Sequence, residues 1–406
     1  MGDTFTPETP AQVQQTVAWA VDAEIPLEVI GCGTKRAIGA PSATEHILDM
    51  SGLSDIQSYQ PEELILIAGP GTKLAEIEMA LMQSRQQLAF EPADLGPLLG
   101  QPAEQGTLGG VIGCNLSGPR RIQAGAVRDH FLGFSAVSGR GESFKAGGKV
   151  VKNVTGYDLC KLICGSWGTL AVMTEICVKI LPMPDRTRTV LIFGCSLEQA
   201  GAAMTRALQS PHEVSGAAHL PADAAAQSRV GFVSKAAEAV TAIRIEGTGI
   251  SVDYRCEMLL KELSEFGETE ELHTANSQSL WAELRDVLPF AGSDDARAVW
   301  RISVPPAEGP RLAATLVDAT DGHVYLDWGG GLIWLAVEEG SDAHAQTVRE
   351  KISPSVGHAT LIRASEAVRS KVSVFPKPAW IALSHRVKEG FDPKSILNPG
   401  RLVEGI

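Results

Sequence analysis

The chain has 406 residues, 44% hydrophobic and 20% charged, which is enough apolar material for large cores and excludes wholesale disorder. At ~100–200 residues per domain, the length points to two or three domains. With 35 Lys and Arg against 48 Asp and Glu, the net charge is −13, a poor start for a nucleic-acid or anionic-membrane binder.

The first helix opens at Thr9-Pro10-Ala11-Gln12: an N-cap threonine, proline at the first helical position and glutamine at the capping-box position. Val13, Val17 and Val21 then share a face, and Pro26 ends the helix. Leu27–Ile30 reads as a strand running into Gly31-Cys32-Gly33-Thr34. A second strand, turn and helix follow: 64–68, then Gly69-Pro70-Gly71-Thr72, then Leu74, Ile77 and Leu81 at helical spacing. Residues 91–105 read as a loop containing Pro92, Pro97 and Pro102.

Between Gly100 and Gly148, twelve of 49 residues are glycine, against ~7% in ordinary chains. These glycines alternate with Leu108, Val111, Ile112, Leu116, Val127 and Phe131, so the stretch is no flexible linker; backbone passing close to something, or turns of positive φ, is the better reading. From Asn115 to Asn153, seven Lys or Arg face only Asp129 and Glu142, a local charge of +5.

Pro182 and Pro184 mark a boundary. Beyond it, strands and helices alternate in two rounds: 188–194, 197–208, 241–246 and 258–266, then 298–304, 312–317, paired strands 323–327 and 332–337, 343–352 and 359–363. Such rounds suggest a sheet covered by helices on one face. The six glutamates of Glu257–Glu271 read as a solvated helix face. Phe391-Asp392-Pro393 and Asn398-Pro399-Gly400-Arg401 return to Pro and Gly punctuation, and no short internal repeat is visible.

Seven cysteines are an odd number without metal-ligand spacing, so no metal site is expected, and the thiols read as small hydrophobes. No apolar run reaches the ~18 residues of a membrane span. The N-terminus lacks a basic-then-apolar signal, so a cytoplasmic protein is expected.

A glycine-rich turn after a strand directs several N–H groups into one concavity, which suits a pyrophosphate. Gly31-Cys32-Gly33-Thr34-Lys35 fits, with two glycines, a hydroxyl and a cation. Gly39 lies too far on for a Rossmann fingerprint, and no P-loop exists. The second element is Gly106-Thr107-Leu108-Gly109-Gly110, followed by Asn115 and Ser117-Gly118. With the basic island, the two segments could wrap one elongated anionic cofactor, the island neutralising its diphosphate. They could equally form a glycine-rich hairpin with a solvated basic face; the residues alone leave both open.

The order of motifs resembles the FAD-binding domain of the vanillyl-alcohol oxidase / p-cresol methylhydroxylase (PCMH) superfamily. The resemblance rests on IGCGTK, AGPGTKLAEIE, the DLG at Asp94–Gly96, GTLGGVIGCNLSG, the Gly125-Ala126-Val127 turn with HFLGFSAVSGRGE, KNVTGYDLCKLICGSWGTLAVMTE, and FDPKSILNPGR at 391–401. It covers about 1–184 and a short block at the end. It implies an α+β fold: a PCMH-type two-lobed FAD-binding domain (1–184), a ferredoxin-like α+β cap domain (185–364), and a C-terminal segment (365–406) returning to the first. Residue by residue, it implies that Gly31, Cys32, Gly33, Thr34 and Lys35 form the pyrophosphate loop. Gly106, Thr107, Gly109 and Gly110 would pass under the diphosphate and flavin edge, with Asn115, Ser117 and Gly118 continuing that wall. Val172 would contact the adenine side, Asn398 and Arg401 would approach from the far end, and Asn153, Tyr157 and Asp158 match an element that is structural or ligand-binding. Relatives with covalent flavin carry a His after the first loop's glycines; Thr34-Lys35 stands here, so the FAD is expected to be non-covalent, with Cys32 and Cys114 the only nearby exceptions.

Within the superfamily the chain is most similar to the FAD-binding subunits of bacterial glycolate oxidases, through IGCGTK, GGKVVKNVTGYDLCKL, LWAELRD and DWGGGLIWL. That implies a 2-hydroxy-acid dehydrogenase complex with a larger FAD-containing subunit and an iron–sulfur subunit, cytoplasmic and peripheral to the inner membrane face only through the complex. A non-catalytic FAD scaffold and a free-standing oxidase of a sugar acid or lactone are the alternatives. A 2-hydroxy acid needs a cation for its carboxylate and a base for its hydroxyl; the candidates are Arg285, Arg301, His323 and Asp327. Larger relatives carry G-H-x-G-D-G-N-x-H. Gly322-His323-Val324-Tyr325-Leu326-Asp327 keeps only the first Gly-His, which points to chemistry shared with a partner.

Overall fold

A computed structural model describes residues 2–149, 156–292, 295–352, 357–376 and 379–402. The first helix, Pro10–Ala23, starts where expected: Thr9 accepts from the Gln12 N–H, and the Gln12 side chain caps Thr9 in return. Val13, Val17 and Ala20 form its buried stripe. Three parallel strands, β1 (Thr4–Phe5), β2 (Leu27–Ile30) and β3 (His46–Asp49), pair in the order β1-β3-β2. Next come β4 (Ile56–Gln60), β5 (Ile65–Ala68), β6 (Gln86–Gln87), β7 (Phe131–Ser138), β8 (Ser143–Gly147), β9 (Ala171–Lys179) and β10 (Leu181–Pro182). Five of these form an antiparallel sheet, β4-β5-β9-β7-β8, while β6 and β10 pair with each other.

The second lobe is one antiparallel sheet of eight strands: β11 (Arg186–Phe193), β12 (Val214–Leu220), β13 (Val240–Gly247), β14 (Thr269–Leu272), β15 (Ala298–Ser303), β16 (His323–Asp327), β17 (Leu332–Val337) and β18 (His358–Arg363). Their order, β14-β11-β13-β12-β16-β17-β15-β18, resolves into two βαββαβ units. Each unit places its fourth strand beside its first, then its third, then its second, which is the ferredoxin-like order. The units join second strand to second strand, with His219 opposite Leu326. The two rounds legible in the sequence are therefore one motif used twice.

The helices Leu197–Gln209, Gly249–Leu263, Gly309–Thr320 and Ala345–Lys351 pack on one another over one face. The glutamate run is not one helix face: the helix stops at Leu263, and Thr269–Leu272 is an edge strand. β12 (VSGAAHL) shows no alternation because it is buried along its whole length.

The opposite face carries the helix Thr274–Arg285 and meets the first lobe. Trp281 of that helix packs over Gly216, and its Nε1 donates to Thr189 Oγ1 at 2.8 Å. Between the lobes, Arg244 donates to both Glu91 oxygens at 2.8 and 3.0 Å, and Arg120 forks onto Glu246 at 2.9 and 2.8 Å. Burial alone would raise both acids. The guanidiniums of Arg244 and Arg120 outweigh it, holding Glu91 below its usual range and Glu246 down to about 2.

The chain's end folds back onto the first lobe. Leu397 bridges Leu27, and Lys388 Nζ donates to Asp392 Oδ2 (2.7 Å), Thr169 O (2.7 Å) and Leu397 O (2.9 Å). Asp392, fully buried, also accepts from the Ile396 and Leu397 N–H groups.

Candidate cofactor cleft and lobe interface

One cleft gathers Gly31 to Arg36, Thr107, Gly109, Gly110, Cys114, Trp167, Val172, Asn398 and Arg401. The first loop leaves β2 and turns at Gly33, whose φ of +72° lies in the region glycine alone adopts freely. Gly31 lets the two glycine segments touch: a Cβ there would lie 2.3 Å from Thr107 Oγ1. On Gly109 it would meet Pro70 O at 2.8 Å. Among the described residues, no protein acceptor takes the N–H groups of Cys32, Gly33, Thr34 or Lys35. Four unclaimed donors around a lysine are what an anion such as a diphosphate requires.

The far end of the chain closes the cleft. Asn398 Oδ1 accepts from Val29 N at 2.7 Å, and its Nδ2 donates to Trp167 O at 2.7 Å. Arg401 donates to Lys35 O at 2.8 Å and lies 5.8 Å from the Trp167 ring centre, so it shapes the loop while adding positive charge. Lys35 is buried against the loop rather than directed to solvent. Cys114 lines the same cleft with its thiol pushed up to about 11 by burial, and exposed Cys32 is raised for the same reason. Neither is poised as a thiolate.

Other residues named from sequence stand apart. Gly106 borders a larger groove of about 1080 Å³ between the lobes. Asn115 ends the helix Leu108–Cys114 with φ +51°, and its buried Oδ1 has no partner among the described residues. Ser117 Oγ accepts from Val127 N at 3.0 Å, and Gly118 O accepts from Trp328 Nε1 at 3.0 Å. Asp158 caps the helix Leu159–Ile163, Tyr157 is exposed, and Asn153 lies outside the described residues.

Among the described residues, no Lys or Arg of the basic island lines the cleft, and Lys152 lies outside the described residues. Arg120 is committed to Glu91 and Glu246, Arg121 to the Trp328 ring, and Arg140 to the carbonyls of Gly390 and Glu389. The cations lining the cleft are instead Lys35, Arg36 and Arg401. A count along the chain could not foresee this, because the partners of Arg120, Arg121 and Arg140 lie far away in sequence.

The four catalytic candidates separate. Arg285, Arg301 and Asp327 line one small cavity with Ser117 and Gly118, between the lobes. Arg285 is a bidentate partner of Asp286, at 2.8 and 2.8 Å. Burial pushes the Asp327 carboxyl up to about 7, while it accepts from Trp328 N at 2.7 Å. His323 stands at the other end of β16 in the larger groove, exposed and paired with Asp223. Trp167, Trp328 and Arg121 were not singled out from sequence; the Trp328-Gly-Gly-Gly run at the end of a strand was the available signal.

Glycine loops and a C-terminal Asn and Arg enclosing one cleft beside a ferredoxin-like sheet make a two-lobed α+β fold. The solved p-cresol methylhydroxylase with substrate bound has that fold, with a TM-score of 0.71 at 15% identity over 99% of this chain and 88% of that one. The FAD binding domain family matches residues 4–147, and the C-terminal domain of FAD linked oxidases matches 370–402. Glycolate oxidase subunit GlcE of Escherichia coli (strain K12) is 32% identical over 96% of this chain and 95% of its own. Glycolate oxidase subunit GlcD of Bacillus subtilis (strain 168) is 28% identical over 46% of this chain and 38% of its own. The chain belongs to the FAD-linked oxidoreductase family that includes GlcE, and FAD is its cofactor. Among the described residues, no helix is long and apolar enough to cross a membrane.

Proposed function

We propose that this chain is the FAD-binding subunit of a glycolate oxidase that works with a larger FAD-containing subunit and an iron–sulfur subunit. The observation that carries the reading is the single cleft in which residues 31–36, 107–110 and 398–401 meet. The proposed assignment of units is 1–184 for the cofactor domain, 185–364 for the cap and 365–406 for the closing segment. Non-covalent FAD would be held by the free N–H groups of Cys32–Lys35, by Lys35 itself, and by the wall of Thr107, Gly109, Gly110 and Val172, with Asn398 and Arg401 bracing the loop. Bound FAD supplies the acceptor for a hydride from the carbon bearing the substrate hydroxyl.

On the sheet side, Asp327 is the group suited to hold the hydroxyl proton, because its raised pKa keeps it near half-protonated at neutral pH. His323 does not share that position, being paired with Asp223 on the far side. This isolation supports the partner-dependent version, in which membrane association comes only through the complex. The test compares the isolated chain with the reconstituted complex. FAD released by acid or heat, slow glycolate turnover alone and rapid turnover in the complex support the reading. Flavin retained on the denatured chain overturns the non-covalent part, and rapid turnover by the chain alone overturns the division of labour.

A further inference from the structure

The larger groove between the lobes, about 1080 Å³, has an apolar floor and an acidic rim. Leu74, Ala224, Pro289 and Phe290 line it and are buried, whereas Glu78, Glu104, Asp223 and Glu338 line it and are exposed. Eight carboxylates face it against three arginines, and two of those arginines are forked onto Asp286 and Asp295. Glu78 shows the imbalance. Burial raises its carboxyl, Arg285 opposes the rise, and Asp286, Asp94 and Glu104 add to it.

The helix Leu74–Gln83 carries one wall of the groove through Leu74, Ala75 and Glu78. Its core stripe is Leu74, Ile77 and Leu81, all buried. Ala75, Glu78, Met79 and Met82 fall on another face, at the i, i+3, i+4, i+7 spacing of one helical stripe. Met79 and Met82 are 66% and 65% exposed there. The helix does not need this second apolar pair to pack. Unbranched, polarisable methionine adapts to varied shapes, which is why it recurs on protein-binding surfaces.

We propose that this groove, with the Met79 and Met82 face at its rim, is the docking surface for a basic amphipathic segment of a partner subunit. The inference rests on the partner-dependent reading above and adds to it where a partner is held. Three physical points support it. An excess of carboxylates is complementary to Lys and Arg, and it repels nucleic acid and anionic lipid alike. The volume exceeds the ~300–1,000 Å³ of ordinary small-ligand pockets, so a chain segment fills it better than a metabolite does. The buried apolar floor and the two methionines ask for an apolar stripe on that segment, and the acidic rim asks for a cationic one beside it. The groove also draws on both lobes, Glu78 and Glu104 from the first, Asp223 and Glu338 from the second, so a bound segment ties the lobes together.

The experiment titrates the FAD-loaded chain with a helical peptide of about 15 residues, built from Leu and Lys so that one face is apolar and the other cationic, and follows the heat. The matching Leu and Glu peptide and spermine are run in parallel. The Leu and Lys peptide is expected to bind, more weakly as salt is raised. Glu78→Gln combined with Glu104→Gln should weaken it about tenfold, and Met79→Ser combined with Met82→Ser several-fold. All four side chains are exposed, so the melting curve and FAD absorbance should not change. Co-expressed with the two partner subunits, both double variants should yield less assembled complex than wild type while keeping their own FAD. Equal peptide affinity in wild type and variants overturns the proposal, as does equal affinity for the Leu and Glu peptide, spermine binding as tightly as the peptide, or complex yield that the variants leave unchanged. A wild-type chain that binds the peptide but assembles with neither subunit would instead overturn the partner-dependent reading, so the two failures are distinguishable.

Discussion

The cofactor cleft and the Trp328 crevice are built by opposite means. The cleft is mostly backbone: free N–H groups of Cys32–Lys35, a positive-φ glycine, and a second glycine segment that can touch the first because Gly31 has no Cβ. The crevice is all side chain, with Arg121 and Arg301 brought over the Trp328 ring from separate elements where the lobes meet. A backbone site needs a contiguous motif and tolerates little change within it. A side-chain site needs a scaffold and leaves its residues free to vary, which suits a fold that keeps one cofactor while changing its substrate.

The largest expected effect tests whether the cleft depends on the chain's end. Lys388→Met leaves the Asp392 carboxylate buried without its cation, which typically costs about 3–5 kcal/mol, and it removes the ties to Thr169 and Leu397. Thermal denaturation should show a large loss of stability, with weaker FAD retention because Asn398 and Arg401 follow directly. An unchanged melting curve would show that the closing segment is not needed. Gly33→Val comes next. A branched residue at φ +72° is strained by about 1–3 kcal/mol, or roughly 5- to 150-fold in FAD affinity if the loop must hold that turn to bind. Equal FAD retention would place the diphosphate elsewhere, while the Trp328 crevice should be untouched in either case.

The same contrast explains what the sequence disclosed. The Thr9 cap, the strand into Gly31, and the paired strands 323–327 and 332–337 are local features written in contiguous residues, and the structure has each of them. The cleft-lining glycines were legible for the same reason. The partners of the basic island were not, because Arg120 finds Glu246 across 126 residues of chain. Nor was β12, whose Ser-Gly-Ala composition carries no period when both faces are buried. Ser117 and Gly118 are glycine-segment residues like those of the cleft, yet they face the sheet, a distinction that spacing does not encode. Arg285, Arg301 and Asp327 emerged as candidates from their chemistry, and only the fold separates Arg285, paired with Asp286, from Arg301, which lies over the Trp328 ring.

The lobe interface can also be sharpened by acid. The folded-state pKa of Glu246, about 2, lies below its ordinary value of 4.5, so its contribution to stability is fully present above about 4.5. That contribution should fall away as the pH drops from 4.5 toward 2. Glu246→Gln should therefore be clearly less stable than wild type at pH 7 and approach it near pH 2.5, measured by urea denaturation at each pH. A constant difference would mean that the carboxylate's charge does not hold the lobes.

Asp327 gives an effect of the opposite sign. Its ordinary value of 3.8 is raised to about 7 by burial, so between those pH values the folded chain binds a proton that the unfolded chain has lost. Stability from this group is therefore greatest below 3.8 and declines as the pH rises through 7. Asp327→Asn keeps an oxygen to accept from the Trp328 N–H while removing the charge that burial penalises. The variant should melt higher than wild type at pH 8 and no higher at pH 4, with the gain opening across the interval between. Its complex should nevertheless lose glycolate turnover, since the same desolvated oxygen is the one proposed to hold the substrate proton. Such a site is expected to trade stability for function. A variant that is neither more stable at pH 8 nor slower would remove Asp327 from the mechanism.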